Sequence, residues 1–189
     1  MSRAYRIRVR ESLRKVVRAA DHVSTQVELL NILPPDQIAA LLAAELERRG
    51  FARQGGSAVR ADDGVQVTVE LASGTVTVQA AASREINVEA ENTGYSPDAK
   101  GPSAKRVEEH LRDELKKSLE KRAAERKQQL QAEVTDKLES GLGDLRRELD
   151  QAVNRVTAEA LKRRAAQLGT IKQLTEDPQS GSMTIVVEV

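Results

Sequence analysis

SAKRVEEHLRDELKKSLEKRAAERKQQLQAEVTDKLESGLGDLRRELDQAVNRVTAEALKRRAAQL, residues Ser103–Leu168, is the stretch on which the architecture turns. It has no proline, and 29 of its 66 residues are charged, so it reads as helix, with Ser103 placed to cap the first turn. Val107, Leu111, Leu115, Leu119 and Ala123 step by four, and no heptad holds from end to end. Two arrangements fit. In the first, Leu138, Leu142, Leu145, Leu149, Ala152 and Val156 keep a heptad straight through Gly141 and Gly143. That helix would reach about 100 Å, and the two glycines would cost it about 2 kcal/mol. In the second, Ser140–Asp144 is a turn between antiparallel arms. Leu138 then meets Leu145, Val134 meets Leu149, Leu130 meets Val153, Ala123 meets Ala160 and Leu115 meets Leu168. Lys127 opposite Val156 and Leu119 opposite Arg164 are the mismatches. The matched pairs favour the hairpin, a stalk about 38 Å long for roughly 25 residues per arm.

Outward from this stretch the chain turns to β patterning. Tyr5-Arg6-Ile7-Arg8-Val9-Arg10 alternates with period two, placing Tyr5, Ile7 and Val9 inward and Arg6, Arg8 and Arg10 outward. Leu13, Val16, Val17 and Ala20 fit either a short helix or a continued strand, and Val23, Thr25, Val27 and Leu29 alternate again. Pro34-Pro35-Asp36 opens a helix over Gln37–Arg49, with Ile38, Leu41, Leu42 and Leu46 on its apolar side and Gly50 at its end. Val65, Val67, Val69 and Leu71 alternate with polar residues, Ala72-Ser73-Gly74 turns, and Thr75–Val78 returns as a strand. Ile86, Val88 and Ala90 predict one more strand, and residues 93–102 carry the breakers of a linker. Beyond Gly169, a loop over Glu176–Gly181 precedes the strand Met183–Val189.

The expected fold is therefore α+β. Residues 1–92 form a head with a small, mostly antiparallel sheet and one packed helix, and 93–102 a linker. Residues 103–168 form an inserted helical, coiled-coil-like hairpin, and 169–189 a strand pair returning to the sheet.

Composition excludes much chemistry. There is no cysteine, so disulfides, thiolate metal sites and cysteine nucleophiles are ruled out, and His22 and His110 are the only histidines. Asp21, His22 and Ser24 have the residue types of a hydrolase triad. Neighbours on a strand point to opposite faces, however, and no nucleophile elbow surrounds Ser24. His110 and Glu114 stand four apart on a helix, a spacing that recurs by chance in so charged a segment. Gly55-Gly56 lacks the lysine and following helix of a phosphate loop. No cofactor or metal is expected.

Charge carries the remaining information. The total is +1, but residues 1–20 hold seven basic groups and one acid, while 21–102 hold twelve acids and six bases. The arginine row either pairs with the chain's own acids or meets an external partner. The expected protein is a non-enzymatic, cytoplasmic, bacterial-type scaffold or adaptor subunit, accessory to an ATP-driven machine. It acts by protein contact, with Arg6, Arg8 and Arg10 as the anion- or partner-binding residues. Leu130, Leu138, Leu145 and Leu149 are expected to drive self-association into a homo-oligomer. The alternative is a nucleic-acid-binding accessory protein using the same arginines. No membrane span is expected.

Overall fold

A computed structural model describes residues 4–177 and 182–188. In order along the chain it comprises β1 (Tyr5–Gln26), α1 (Pro35–Arg48), β2 (Ala52–Gln54), β3 (Ser57–Asp62), β4 (Val65–Glu70), β5 (Thr75–Ser96), α2 (Pro102–Leu168), β6 (Thr170–Asp177) and β7 (Ser182–Glu188). The class is α+β, as the patterning predicts. The five-stranded antiparallel sheet has the order β1-β5-β4-β3-β2, which makes β1 an edge strand. The chain divides into two compact units, Met1–Asp21 with Ala81–Asp136 and His22–Ala80 with Lys137–Val189.

The second unit holds the sheet core. Val69 faces Val76 and Val67 faces Val78 across β4 and β5, while Ala58 and Arg60 of β3 face Val69 and Val67. These cross-strand rows place Val67, Val69, Val76 and Val78 on one buried face. Proline at the first helical position starts α1, and Gly50, at φ +85°, follows its last turn. Leu42 and Leu46 of α1 are fully buried, and the Phe51 amide donates back to the Leu46 carbonyl at 3.0 Å. The β4–β5 turn needs a glycine: Gly74 lies at φ +70°, and a Cβ there would stand 2.7 Å from the Val27 carbonyl oxygen. The Gly74 carbonyl in turn accepts the Val27 amide at 2.9 Å.

In the first unit the sheet is only two strands wide, because β4 pairs with β5 no further than Ala80. A two-stranded ribbon has one apolar face and nothing of its own to bury it against. Here α2 supplies the cover: Val9, Leu111 and Leu115 form a core, with Ile7, Ala90 and Val107 packed around it.

Three expectations are corrected. Helix α2 is a single helix of 67 residues that continues through Gly141 and Gly143, so there is no hairpin. Its buried positions recur at eleven residues: Leu119 and Leu130, Ala123 and Val134, Leu138 and Leu149, Leu145 and Val156. Eleven residues span three turns with almost no drift, so the stripe faces one way and suits a sheet better than a supercoiled partner. Next, β1 and β5 are each unbroken for 22 residues, absorbing the helix-like spacing at Leu13–Ala20 and the first four residues of the expected linker. Continuous pairing between neighbouring strands overrides the weak local preference of these alanine- and serine-containing stretches. Finally, β6 and β7 form their own two-stranded sheet and do not join the first. Residues 178–181 of the expected loop, and Val189, lie outside the described residues.

Around Gly141 and Gly143 there is open space where a Cβ would stand. Replacing both with alanine should raise stability to urea by about 1–2 kcal/mol, since each glycine weakens a helix by up to ~1 kcal/mol. A turn at this point would instead lose stability on the same substitution.

Candidate partner-binding face

Alternation along β1 leaves Arg6, Arg8 and Arg10 exposed, as expected for the outward positions, and Arg14 exposed as well, while Val9 and Val17 are buried. Tyr5, expected inward, is exposed. The arginines converge on the neighbouring strand β5. Arg10 donates through Nη2 to Glu91 at 2.9 Å, and Arg8 Nε lies 2.9 Å from the other oxygen of the same carboxylate. Arg14 pairs with Glu85 in the same way. The hydrogen bond from Arg10 holds the Glu91 carboxyl below its ordinary pKa. Partial desolvation opposes that shift, and the charges of Arg8, Arg10 and Arg6 reinforce it. The row is therefore partly internal: Glu91 ties down two of the three named arginines, and Arg6 is held only at longer range. Sequence reasoning could assign the balancing acids to residues 21–102 as a group. It could not choose Glu91, because that choice follows from the register of strands far apart in the chain.

The leucines expected to drive self-association are elsewhere occupied. Leu130, Leu138, Leu145 and Leu149 are between 2% and 8% exposed. All four belong to the buried stripe of α2, so within the single chain they are already covered.

The other candidates disperse. Asp21 accepts the Thr135 hydroxyl at 2.7 Å, and Ser24 shares a hydrogen bond with Thr77 at 3.1 Å, so neither is set up as part of a triad. His110 does meet Glu114, at 3.3 Å, but the third neighbour is the amide of Asn92. Among the described residues no group of three or more His, Asp or Glu could hold a metal ion.

One polar assembly was not legible at all. Arg60 of β3 shares the inner sheet face with Val67 and Val78, an apolar row where a charge needs a partner. It finds several. Its guanidinium forks onto Glu148 of α2 at 2.8 and 2.7 Å, donates to the Arg49 carbonyl at 3.1 Å, and stacks 4.4 Å from the centre of the Phe51 ring. Arg49 in turn donates to the Glu148 carbonyl at 3.1 Å and to Glu45 at 2.8 Å, and Arg155 of α2 also approaches buried Glu45, at 3.6 Å. This is a structural clamp joining α1, β3 and α2.

The family model for FtsH ternary system domain X5 matches residues 1–189, the whole chain. The chain belongs to that family. Membership ties it to an FtsH ternary system, which suggests an accessory role to an ATP-dependent protease system and implies protein partners. No curated protein and no solved structure matches it. No helix among the described residues is long and apolar enough to cross a membrane.

Replacing Arg60 with Leu should destabilise this family member by about 1–3 kcal/mol, because Glu148 would be left partly buried and unpaired. The pH dependence has a definite sign. The hydrogen bond from Arg60 lowers the Glu148 pKa below that of an ordinary glutamate, against a desolvation that raises it. Its contribution is present above the unfolded pKa and is lost as pH falls through the lower folded value. The stability gap between wild type and Glu148→Gln, from urea melts, should be flat near neutrality and shrink in acid below about pH 4.5.

Proposed function

We propose that this chain is a non-enzymatic adaptor subunit of an FtsH ternary system, joining protein partners through the arginine-bearing face of β1. The full-length family match carries the reading, since it connects the chain to an ATP-dependent protease system. The distribution of surface supports it. The apolar stripe of α2 is consumed in the fold, which leaves charged side chains as the main means of recognition. The densest such set of one sign is the basic row of β1. A charged rim of this kind governs encounter rate and partner choice more than raw affinity, as suits a subunit that engages and releases.

The nucleic-acid alternative uses the same arginines and fits less well. Tyr5 alone interleaves the row, so the bases of a nucleic acid would find no stacking platform.

Affinity purification of the tagged full-length protein from its own cells, followed by mass spectrometry, tests the reading. Subunits of an ATP-dependent protease should co-elute. Arg6→Gln, Arg8→Gln and Arg10→Gln together should deplete them while leaving the melting temperature nearly unchanged, since exposed pairs contribute little to stability. An eluate without protease subunits would overturn the proposal. A salt-sensitive gel shift with DNA or RNA would move the assignment to nucleic acid.

A further inference from the structure

Edge strands with long unpaired backbones are uncommon because they recruit other strands. Strand β1 is such an edge for 22 residues. Its backbone is capped at one point by α2, where the Gln131 amide donates to the Ala20 carbonyl at 3.2 Å. Upstream of that cap, β1 and α2 border a groove of about 730 Å³. Val17 and Ala123 form a buried apolar floor, and Val16 beside them is 54% exposed. Lys15, Arg18 and Lys127 line the groove, with Glu120 the only acid among its lining residues. Among the described residues none of these three cations has a carboxylate partner, unlike Arg8, Arg10 and Arg14 of β1.

An open β edge, an apolar floor and unpaired positive charge define a complementary ligand. We propose that this groove binds an extended, acidic peptide segment of a partner protein, which adds as a strand alongside β1 at Leu13–Arg18. Backbone pairing would give the affinity. Alternating side chains would give the selection: carboxylates on the face turned to α2 would meet Lys15 and Lys127 beside the Val17 and Ala123 floor, and small apolar groups on the opposite face would lie along Val16, with Arg18 at its side. A second copy of β1 is a poor occupant, because like charges would stand opposite one another across the new pair. The edge of β5 beyond Ala80 is a poor competitor for the same ligand, since it carries Glu85, Glu89 and Glu91.

The inference deepens the adaptor reading and rests on it, but the test separates the two, because it uses the isolated full-length protein and a synthetic probe. The probe is a fluorescein-labelled ten-residue peptide of alternating Glu and Val, followed by fluorescence anisotropy at low and moderate salt. Binding should weaken as salt rises, and Lys15→Gln, Arg18→Gln and Lys127→Gln together should reduce affinity about tenfold or more. N-methylation of alternate backbone nitrogens of the peptide should reduce it comparably, by removing strand pairing. Three results would overturn the proposal: no binding at low salt, equal binding of the N-methylated peptide, or a protein mass by light scattering that grows with concentration and is blocked by the triple substitution. The first two would leave the adaptor reading standing if protease subunits still co-purify. The third would give the edge to a second copy.

Discussion

The apolar stripe of α2 is the constraint on which the rest depends. From Tyr5 to Asp21 and from Ala81 to Ser96 the sheet is a two-stranded ribbon, and such ribbons are marginal in water because one face has nothing to bury against. Leu111 and Leu115 bury against Val9 and supply the missing layer. Full burial of each such leucine is worth about 1.5–3 kcal/mol, so a few of them outweigh two exposed helical glycines at ~1 kcal/mol each. Leu138 and Leu145, on either side of Gly141 and Gly143, are buried in the same continuous helix.

Much of the α+β plan was legible, and the reason for the main error is physical. Period-two alternation at Tyr5–Arg10 and Val65–Val78, the proline pair before α1 and Gly50 after it are local signals, and each marks the element it predicts. The hairpin expectation rested on apolar positions mirrored about Gly141–Gly143. A stripe that steps by four and seven, however, reads the same in both directions. Leu138 with Leu145 and Val134 with Leu149 are therefore mirrored whether the chain turns back or runs straight, and the test could not distinguish the two. The burial of Leu130, Leu138, Leu145 and Leu149 within the chain was hidden for a related reason. A sequence shows that a stripe requires a cover, but whether a sheet or a second chain provides it is settled by long-range pairing.

The arginines carry the same lesson in electrostatic form. The surplus of base in residues 1–20 is visible by counting. Its division into engaged and unengaged groups depends on which β5 residue lies beside each β1 residue. Glu91 and Glu85 answer Arg8, Arg10 and Arg14, while Lys15 and Arg18 stand by the groove without a carboxylate among the described residues. Arg60 is the converse case. Its position in an alternating strand marked it only as one more charge, yet it lies on the inner face and organises α1, β3 and α2 through Glu148.

Charge on an edge strand has two physical consequences that are usually treated separately. It prevents a second copy from adding to the edge, because identical rows of cations repel. It also leaves the edge open to any strand of opposite sign, because the backbone groups remain unpaired. In β1 the first consequence follows from the whole basic row, and the second is concentrated where the row is not neutralised by β5. Protection from self and availability to others are thus one property of the sequence, read against two different ligands.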